Sequence, residues 1–375
     1  MECYRELIPG LPDDIASDCI ARVTVRFHSG LRLVCRRWRD LVTASDFYRL
    51  RERIGAAEDL IFLVQACRGG DCEVDEADEG EKGCDIGSQS PAYGLSAYNV
   101  TRESWYRVAT SEAVPLFAQI VSVGRKVVLL GGWDPASLDP TAEVRVLDPA
   151  TGGWRRRTPM AEPRSFFACG AVGGRVFVAG GHDAQKNALR TAETYDPSAD
   201  EWAALPDMEE ERDECQGMEA GGRFWAVSGY GTEEQGRFAG AAEWYDAAAG
   251  KWRREEVMWE AGGAACVGVA GGSIWSVGFG REGGGAGGVR EYEGVGRGWK
   301  EVAPLPAGVK RGPRPCAAVA VGGGDKERVF VMATEEETGG GHRGWVLEVG
   351  PRRWTRVETP VGFTGFVYSA AAVRL

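Results

Sequence analysis

From residue 59 onward the chain alternates short apolar runs with glycine- and acid-rich breaks, and the same four-run pattern keeps returning. A run of small residues comes first, as in "FACGAVGG", "CQGMEAGG", "ACVGVAGG" and "CAAVAVGG". A β-branched and aromatic run ending in glycines follows: "RKVVLLGGW", "RVFVAGGHD", "RFWAVSGYG", "SIWSVGFGR". A third run carries an acid, as in "AETYD" and "AEWYD", and the fourth carries a tryptophan. Trp105, Trp154, Trp202, Trp252, Trp299 and Trp354 lie 49, 48, 50, 47 and 55 residues apart. Runs of four to eight residues with these compositions are strands, and a repeat of roughly 50 residues is one supersecondary unit.

The expected fold follows from burial. A single four-stranded sheet has two apolar faces and cannot cover both alone. Stacking six of them around an axis covers every face and leaves only short edges, which is a propeller. Inner strands crowd the axis and need Gly, Ala and Cys, while outer strands diverge and leave a wedge that Trp fills. The first unit, "DLIFLVQA" and "YGLSAYNVTRESWYRV", has no small-residue run before it, whereas the chain ends on one, "FVYSAAAVRL". The expected arrangement is therefore a ring spanning 59–375 whose first blade takes its inner strand from the C-terminal end.

Residues 1–58 have a different period. "LPDDIASDCIARV" places two acids behind Leu11 and Pro12, good chemistry for a helix start. "SGLRLVCRRWRDLV" puts Leu31, Val34, Cys35, Trp38, Leu41 and Val42 on one helical face, with Ser29 as a candidate cap. "SDFYRLRERIG" predicts a third helix, with Ser45 as a candidate cap and Gly55 as its stop. About 45 residues in three small helices make little core to stand alone, so the module is expected to cap the propeller or to dock a partner.

Composition narrows the function. The 375 residues carry 54 Gly and 13 Trp, in keeping with many short strands and tight turns. A formal charge of −11 argues against a nucleic-acid or anionic-membrane surface. Part of it sits in "DCEVDEADEGEKGCD", read as a solvated acidic loop within about 67–92 of the first blade. There is no CxxC, no apolar run long enough to span a bilayer, and a charged start, "MECYRELIPGLPDD". Ten cysteines are then simplest as reduced thiols of a cytoplasmic or nuclear protein; Cys169, Cys215, Cys266 and Cys316 read as small core residues of inner strands.

Motifs for chemistry are weak. The Gly pair of "RVFVAGGHD" could cradle a phosphate, but "VVLLGGWD" repeats it one unit earlier, so it is expected to be a turn of the repeat. Gly278–Gly283 matches GxGxxG after a strand, but "GGAGGVREYE" supplies no helix to receive a phosphate. His28, His182 and His342 fall in separate segments, too few for an imidazole metal site. No catalytic set, metal site or cofactor site is expected, and the chain reads as a non-catalytic binder. Loops on one face would then hold a protein partner. The candidates are Arg164, Phe166, Phe167, His182, Asp183, Arg212, Asp213, Glu214, Tyr230, Glu233 and Glu234, with interblade packing and ion pairing as the competing role for each.

Two resemblances sharpen this. The units around Trp154, Trp202 and Trp252 closely resemble the kelch repeat, and a weaker likeness extends over 59–375. "LPDDIASDCI", "VCRRW" and "FYRLR" resemble the F-box, although "TVRFHSGL" is more polar there than the family pattern. That resemblance implies that Leu11, Pro12, Ile15, Leu31, Val34 and Trp38 carry docking on a Skp-type adaptor, and through it a cullin, or form the module's own core. Together they imply a substrate receptor of an SCF-type ubiquitin ligase. "RSFFACG", "VAGGHDAQKNAL" and "YGTEEQGRF" further resemble a plant kelch F-box group associated with turnover of phenylalanine ammonia-lyase, hence with restraint of phenylpropanoid synthesis. Members are also associated with turnover of type-B response regulators of cytokinin signalling. A kelch scaffold without ligase function is the remaining possibility.

Overall fold

The computed structural model describes residues 6–67, 92–256, 264–278, 287–294, 296–309, 317–322, 327–335 and 341–375. The acidic run, Cys316 and the GxGxxG stretch beyond Gly278 lie outside the described residues.

Four helices open the chain: α1 (Asp13–Ala21), α2 (His28–Val34), α3 (Arg36–Thr43) and α4 (Ser45–Arg53), with a 3-10 turn at Val25–Phe27. The single helix expected over "SGLRLVCRRWRDLV" is broken. Cys35 is fully extended (φ −161°, ψ 172°) and separates α2 from α3. Val34 and Cys35 both have low helix propensity, so the interruption costs little local energy. The break takes Val34 and Cys35 off the packed face and exposes both, while Val42 stays buried. Ser29 and Ser45 do not cap: Phe27 and Ala44 occupy the N-cap positions, and neither helix has a side-chain cap bond. Gly55 does stop α4. It is left-handed (φ 68°), and the amides of Gly55 and Ala56 donate to the Glu52 and Arg51 carbonyls at 3.2 and 2.8 Å, the paired bonds of a Schellman end.

Six four-stranded antiparallel sheets follow. Blade 3 is representative: Ala168–Val172, Arg175–Ala179, Ala192–Asp196 and Glu201–Leu205 run from axis to rim. Blade 1 mixes the two ends of the chain: Val367–Arg374 forms its inner strand and pairs with Asp59–Ala66, Leu60 opposite Val373. The small-residue rule is steric. A Cβ on Gly170 would lie 3.0 Å from the Phe224 ring and 3.2 Å from the Met218 backbone of the next blade. Cys169 and Cys215 are buried in this crowded layer, and burial pushes the Cys215 thiol up to about 11, so these sulfurs are inert packing.

The repeat tryptophans of blades 1, 2, 3, 4 and 6 latch their blade to the one before it in the ring. The indole N–H of Trp154 donates to the Ala109 carbonyl at 2.9 Å, Trp202 to Thr158 at 2.8 Å, Trp252 to Pro206 at 2.7 Å and Trp354 to Pro304 at 2.8 Å. Trp105 of blade 1 donates to Glu358 at 2.9 Å, across the seam where the ring closes. Each of these five indoles is half-buried in the wedge and satisfies its one donor there.

The helical module is not a separate bead. Ile20, Val25, Val42, Phe47 and Tyr48 belong to the same buried cluster as Leu60, Phe62, Val127, Leu147 and Leu375 of blades 1 and 2. Sharing a core answers the expectation that the helices bury too little alone.

Candidate interaction surfaces

Strand order divides the propeller into two faces. In each antiparallel blade the turn joining strands one and two and the turn joining strands three and four lie at one end. The loop joining strands two and three and the linker to the next blade lie at the other. The helical module packs at the first end: the Arg125 guanidinium lies 4.5 Å over the Tyr48 ring, and Arg26 lies 5.6 Å over Tyr106. All eleven candidate partner-binding residues lie at the opposite end, here called the loop face.

Within the module the structure separates inward from outward positions. Leu31 and Trp38 pack against the shared core, and the Trp38 indole donates to the Leu7 carbonyl at 2.7 Å. Leu11 is half-buried, while Pro12 at the N-cap of α1 is exposed. Ile15 (48% exposed) and Val34 (61%) point to solvent, joined by Phe27 (57%) and Leu33 (80%). Sequence reasoning missed those last two. Their signal was position: Phe27 precedes the expected helix in "RFHSGL", and Leu33 lies within "SGLRLVCRRWRDLV" but off its expected apolar face. Asp13 braces this surface: bonds from the Leu7 amide and the Arg37 guanidinium hold its carboxyl below the usual carboxylate range.

On the loop face many candidates prove to be internal. Arg164 is fully buried; it donates to the Gly180 and Thr191 carbonyls at 2.9 and 3.1 Å and to Glu193 at 3.0 Å. Burial pulls its guanidinium pKa down against the opposing pull of Glu193 and Glu162. Arg212 repeats the device one blade on, donating to Ser228 and Ala241 carbonyls at 2.8 and 3.1 Å and to Glu243 at 3.1 Å. The two arginines are therefore repeat elements that tie strand ends together inside a blade, and neither reaches a partner. Phe167 is likewise fully enclosed.

Phe166 has φ 56°, costly for a bulky residue. It is 7% exposed and stacks among Phe117, Trp133, His182 and Tyr368, with centroids 4.9–5.6 Å away. His182 sits 5% exposed in the same cluster; its Nδ1 meets Asp213 Oδ1 at 2.9 Å, and its Nε2 accepts the Trp133 indole N–H at 3.3 Å. Trp133, His182 and Asp213 thus join blades 2, 3 and 4 in one hydrogen-bonded chain, and this is packing geometry. Burial pushes the Asp183 carboxyl up, but bonds from Asn187 and Gln185 outweigh it and hold the pKa low. Asp183 shapes its own loop. Tyr230 is buried and donates to Glu214 at 3.1 Å.

What remains accessible is Glu214, Glu233 and Glu234, together with Leu138 (49% exposed), Phe238 (37%) and Val361 (76%). Among the described residues, the large exposed apolar side chains fall in two places only. Ile15, Phe27, Leu33 and Val34 are on the module; Leu138, Phe238 and Val361 are on the loop face. A channel of about 570 Å³ runs along the axis, lined by inner strands. No cluster of three or more metal-ligating side chains occurs among the described residues, and no described helix is long and apolar enough to cross a membrane.

The suspected phosphate cradle resolves into backbone packing. Gly180 and Gly181 are both left-handed (φ 68° and 83°). A Cβ on the equivalent Gly131 would sit 2.7 Å from the Arg164 carbonyl of the next blade, and one on Gly132 would sit 2.5 Å from the Leu116 carbonyl of its own.

Comparison with known proteins agrees with this two-part geometry. The F-box domain model matches residues 8–50, and the Kelch motif model matches 163–209. F-box/kelch-repeat protein At2g44130 of Arabidopsis thaliana is 46% identical over 274 residues, covering 69% of this chain and 67% of that protein. F-box/kelch-repeat protein SKIP20 of the same plant is 42% identical, covering 69% and 68%. F-box/kelch-repeat protein At1g80440 is 32% identical over 95% of this chain and 97% of its own length. The chain belongs to the F-box/kelch-repeat proteins.

Proposed function

We propose that the chain is the non-catalytic substrate receptor of an SCF-type ubiquitin ligase. The observation that carries this reading is the segregation of exposed apolar side chains to two opposite ends, Leu33 and Val34 on the F-box and Leu138, Phe238 and Val361 on the loop face. The F-box docks a Skp-type adaptor, and through it a cullin. The loop face holds the target, and the exposed Glu214, Glu233 and Glu234 favour a target surface carrying basic groups. The receptor acts by raising the local concentration of target lysines beside a ubiquitin-loaded enzyme. It works in the cytoplasm or nucleus, where thiols such as Cys169 and Cys215 stay reduced.

The resemblance of "RSFFACG" and "YGTEEQGRF" supports phenylalanine ammonia-lyase as the target and restraint of phenylpropanoid synthesis as the outcome. Adaptor capture by the full chain, set against capture by its Leu33→Asp variant, tests the ligase role. Failure of the full chain to bind any Skp-type adaptor would leave a kelch scaffold. Unchanged phenylalanine ammonia-lyase abundance on removal of the chain, with no capture by it, would remove that target; type-B response regulators are measured in the same experiment.

A further inference from the structure

Five residues separate α4 from blade 1: Ile54, Gly55, Ala56, Ala57 and Glu58, and Glu58 is fully buried. Its carboxylate is divided between the two bodies. From the module, Oε2 accepts the Thr24 hydroxyl at 3.0 Å and the Val25 amide at 3.1 Å, and Arg51 stands 3.7 Å from Oε1. From blade 1, Oε2 accepts the Asn99 side-chain amide at 3.0 Å and Oε1 accepts Arg102 Nε at 3.1 Å. The backbone of the same residue exchanges both bonds with the final residue, Leu375, at 2.6 and 2.9 Å. The next residue, Asp59, holds Arg328 of blade 6 and Arg374 of the closing strand at 2.8 Å each. The module is therefore mounted at the seam that closes the ring.

We infer that Glu58 is a positioning residue for ubiquitin transfer: its carboxylate fixes the angle between the adaptor-docking helices and the loop face, and so fixes which lysines are brought within reach. This rests on the receptor reading above. A carboxylate that only stabilised the module would take its donors from the module. This one takes them from both sides, and one oxygen, Oε2, is shared between Val25 and Asn99. A carboxylate suits that place because it is acceptor-only, whereas an amide would turn an NH₂ toward some of these donors.

The test uses the full chain assembled with a Skp-type adaptor, cullin and the ubiquitin-charging enzymes. The receptor's own lysines serve as reporters: Lys126 lies on the module side and Lys186 on the loop face. Dyes carried by unnatural residues at the exposed positions Arg49 and Gln185 report the angle by single-molecule energy transfer. Wild type should give one narrow distribution. Glu58→Ala should broaden it, leave adaptor affinity within about twofold, and change the Lys126 to Lys186 modification ratio at least about twofold. Arg102→Ala, which removes one donor from a half-exposed side chain, should do the same to a smaller degree, and it decides the matter if Glu58→Ala loses helical circular dichroism. A narrow distribution and an unchanged ratio in the folded variants would overturn the proposal. A broadened distribution in a chain that binds no adaptor would uphold the mount and overturn the receptor reading.

Discussion

Arg212 and Glu243 meet at 3.1 Å inside blade 4, each about 1% exposed. One blade earlier, Arg164 and Glu193 form the same pair at 3.0 Å. Removing Arg212 strands Glu243 as a buried charge and also frees the Ser228 and Ala241 carbonyls. Arg212→Ala should therefore cost about 3–5 kcal/mol in urea denaturation. Arg212→Met with Glu243→Leu should recover only part of the loss: no unpaired charge remains, but the Ser228 and Ala241 carbonyls and the Glu209 amide lose their partners. A single variant as stable as wild type would show that the pair is not the tie it is described as.

The tryptophan latches can be tested more gently. Trp202→Phe keeps an aromatic ring in the wedge but deletes the bond to the Thr158 carbonyl and a small part of the packing. The expected loss is about 1 kcal/mol, read as a lowered melting temperature with an unchanged circular dichroism spectrum. Trp202→Ala also empties the wedge and should cost several times as much.

These two devices differ in how visible they were in the sequence. Trp105 through Trp354 recur at near-constant spacing, and an aromatic at a fixed place in a repeat has few other uses, so six blades could be counted directly. Arg164 and Arg212 recur too, but a charged residue in a loop is ordinarily solvated. Only the burial of Glu193 and Glu243 beside them shows the arginines turned inward. The break at Cys35 was hidden for a different reason: apolar periodicity continues across it, while backbone geometry does not. Leu33 and Phe27 fell off the expected helical face and so escaped the pattern, yet they are among the most exposed apolar side chains of the module.

That exposure gives a third prediction. Leu33 is 80% exposed and contributes little to the core. Leu33→Asp should leave the melting temperature within about 1 °C, since surface changes of this kind stay within about 0.5 kcal/mol. It should weaken adaptor binding at least about tenfold in a calorimetric titration, by placing a charge in an apolar contact. Ala16→Asp, at a fully buried position of α1, is the contrasting variant: it should unfold the module and lose binding together with helicity. Undiminished binding by Leu33→Asp would exclude this end of α2 from the adaptor contact.

The module also carries an acid sensitivity with a definite sign. His28 is fully enclosed, its Nε2 bonded to the Val23 carbonyl at 3.0 Å and lying 3.4 Å from Arg51 Nη1. Burial first, and then the Arg51 charge, lowers its pKa from 6.5 to about 4. Between those values the unfolded chain binds a proton that the folded chain refuses, so stability rises with pH through this window. The contribution is fully present above pH 6.5 and is lost as pH falls toward 4, where it levels off. Its size is up to about 3 kcal/mol. Denaturation of wild type and His28→Gln at pH 7.5, 5.5 and 4.5 isolates the effect, because the variant lacks the titrating ring and shares every other group. The two stability curves should converge by up to that amount as pH falls. Parallel curves would mean that His28 takes up its proton in the folded state as readily as in the unfolded chain, and that the contact with Arg51 does not resist it.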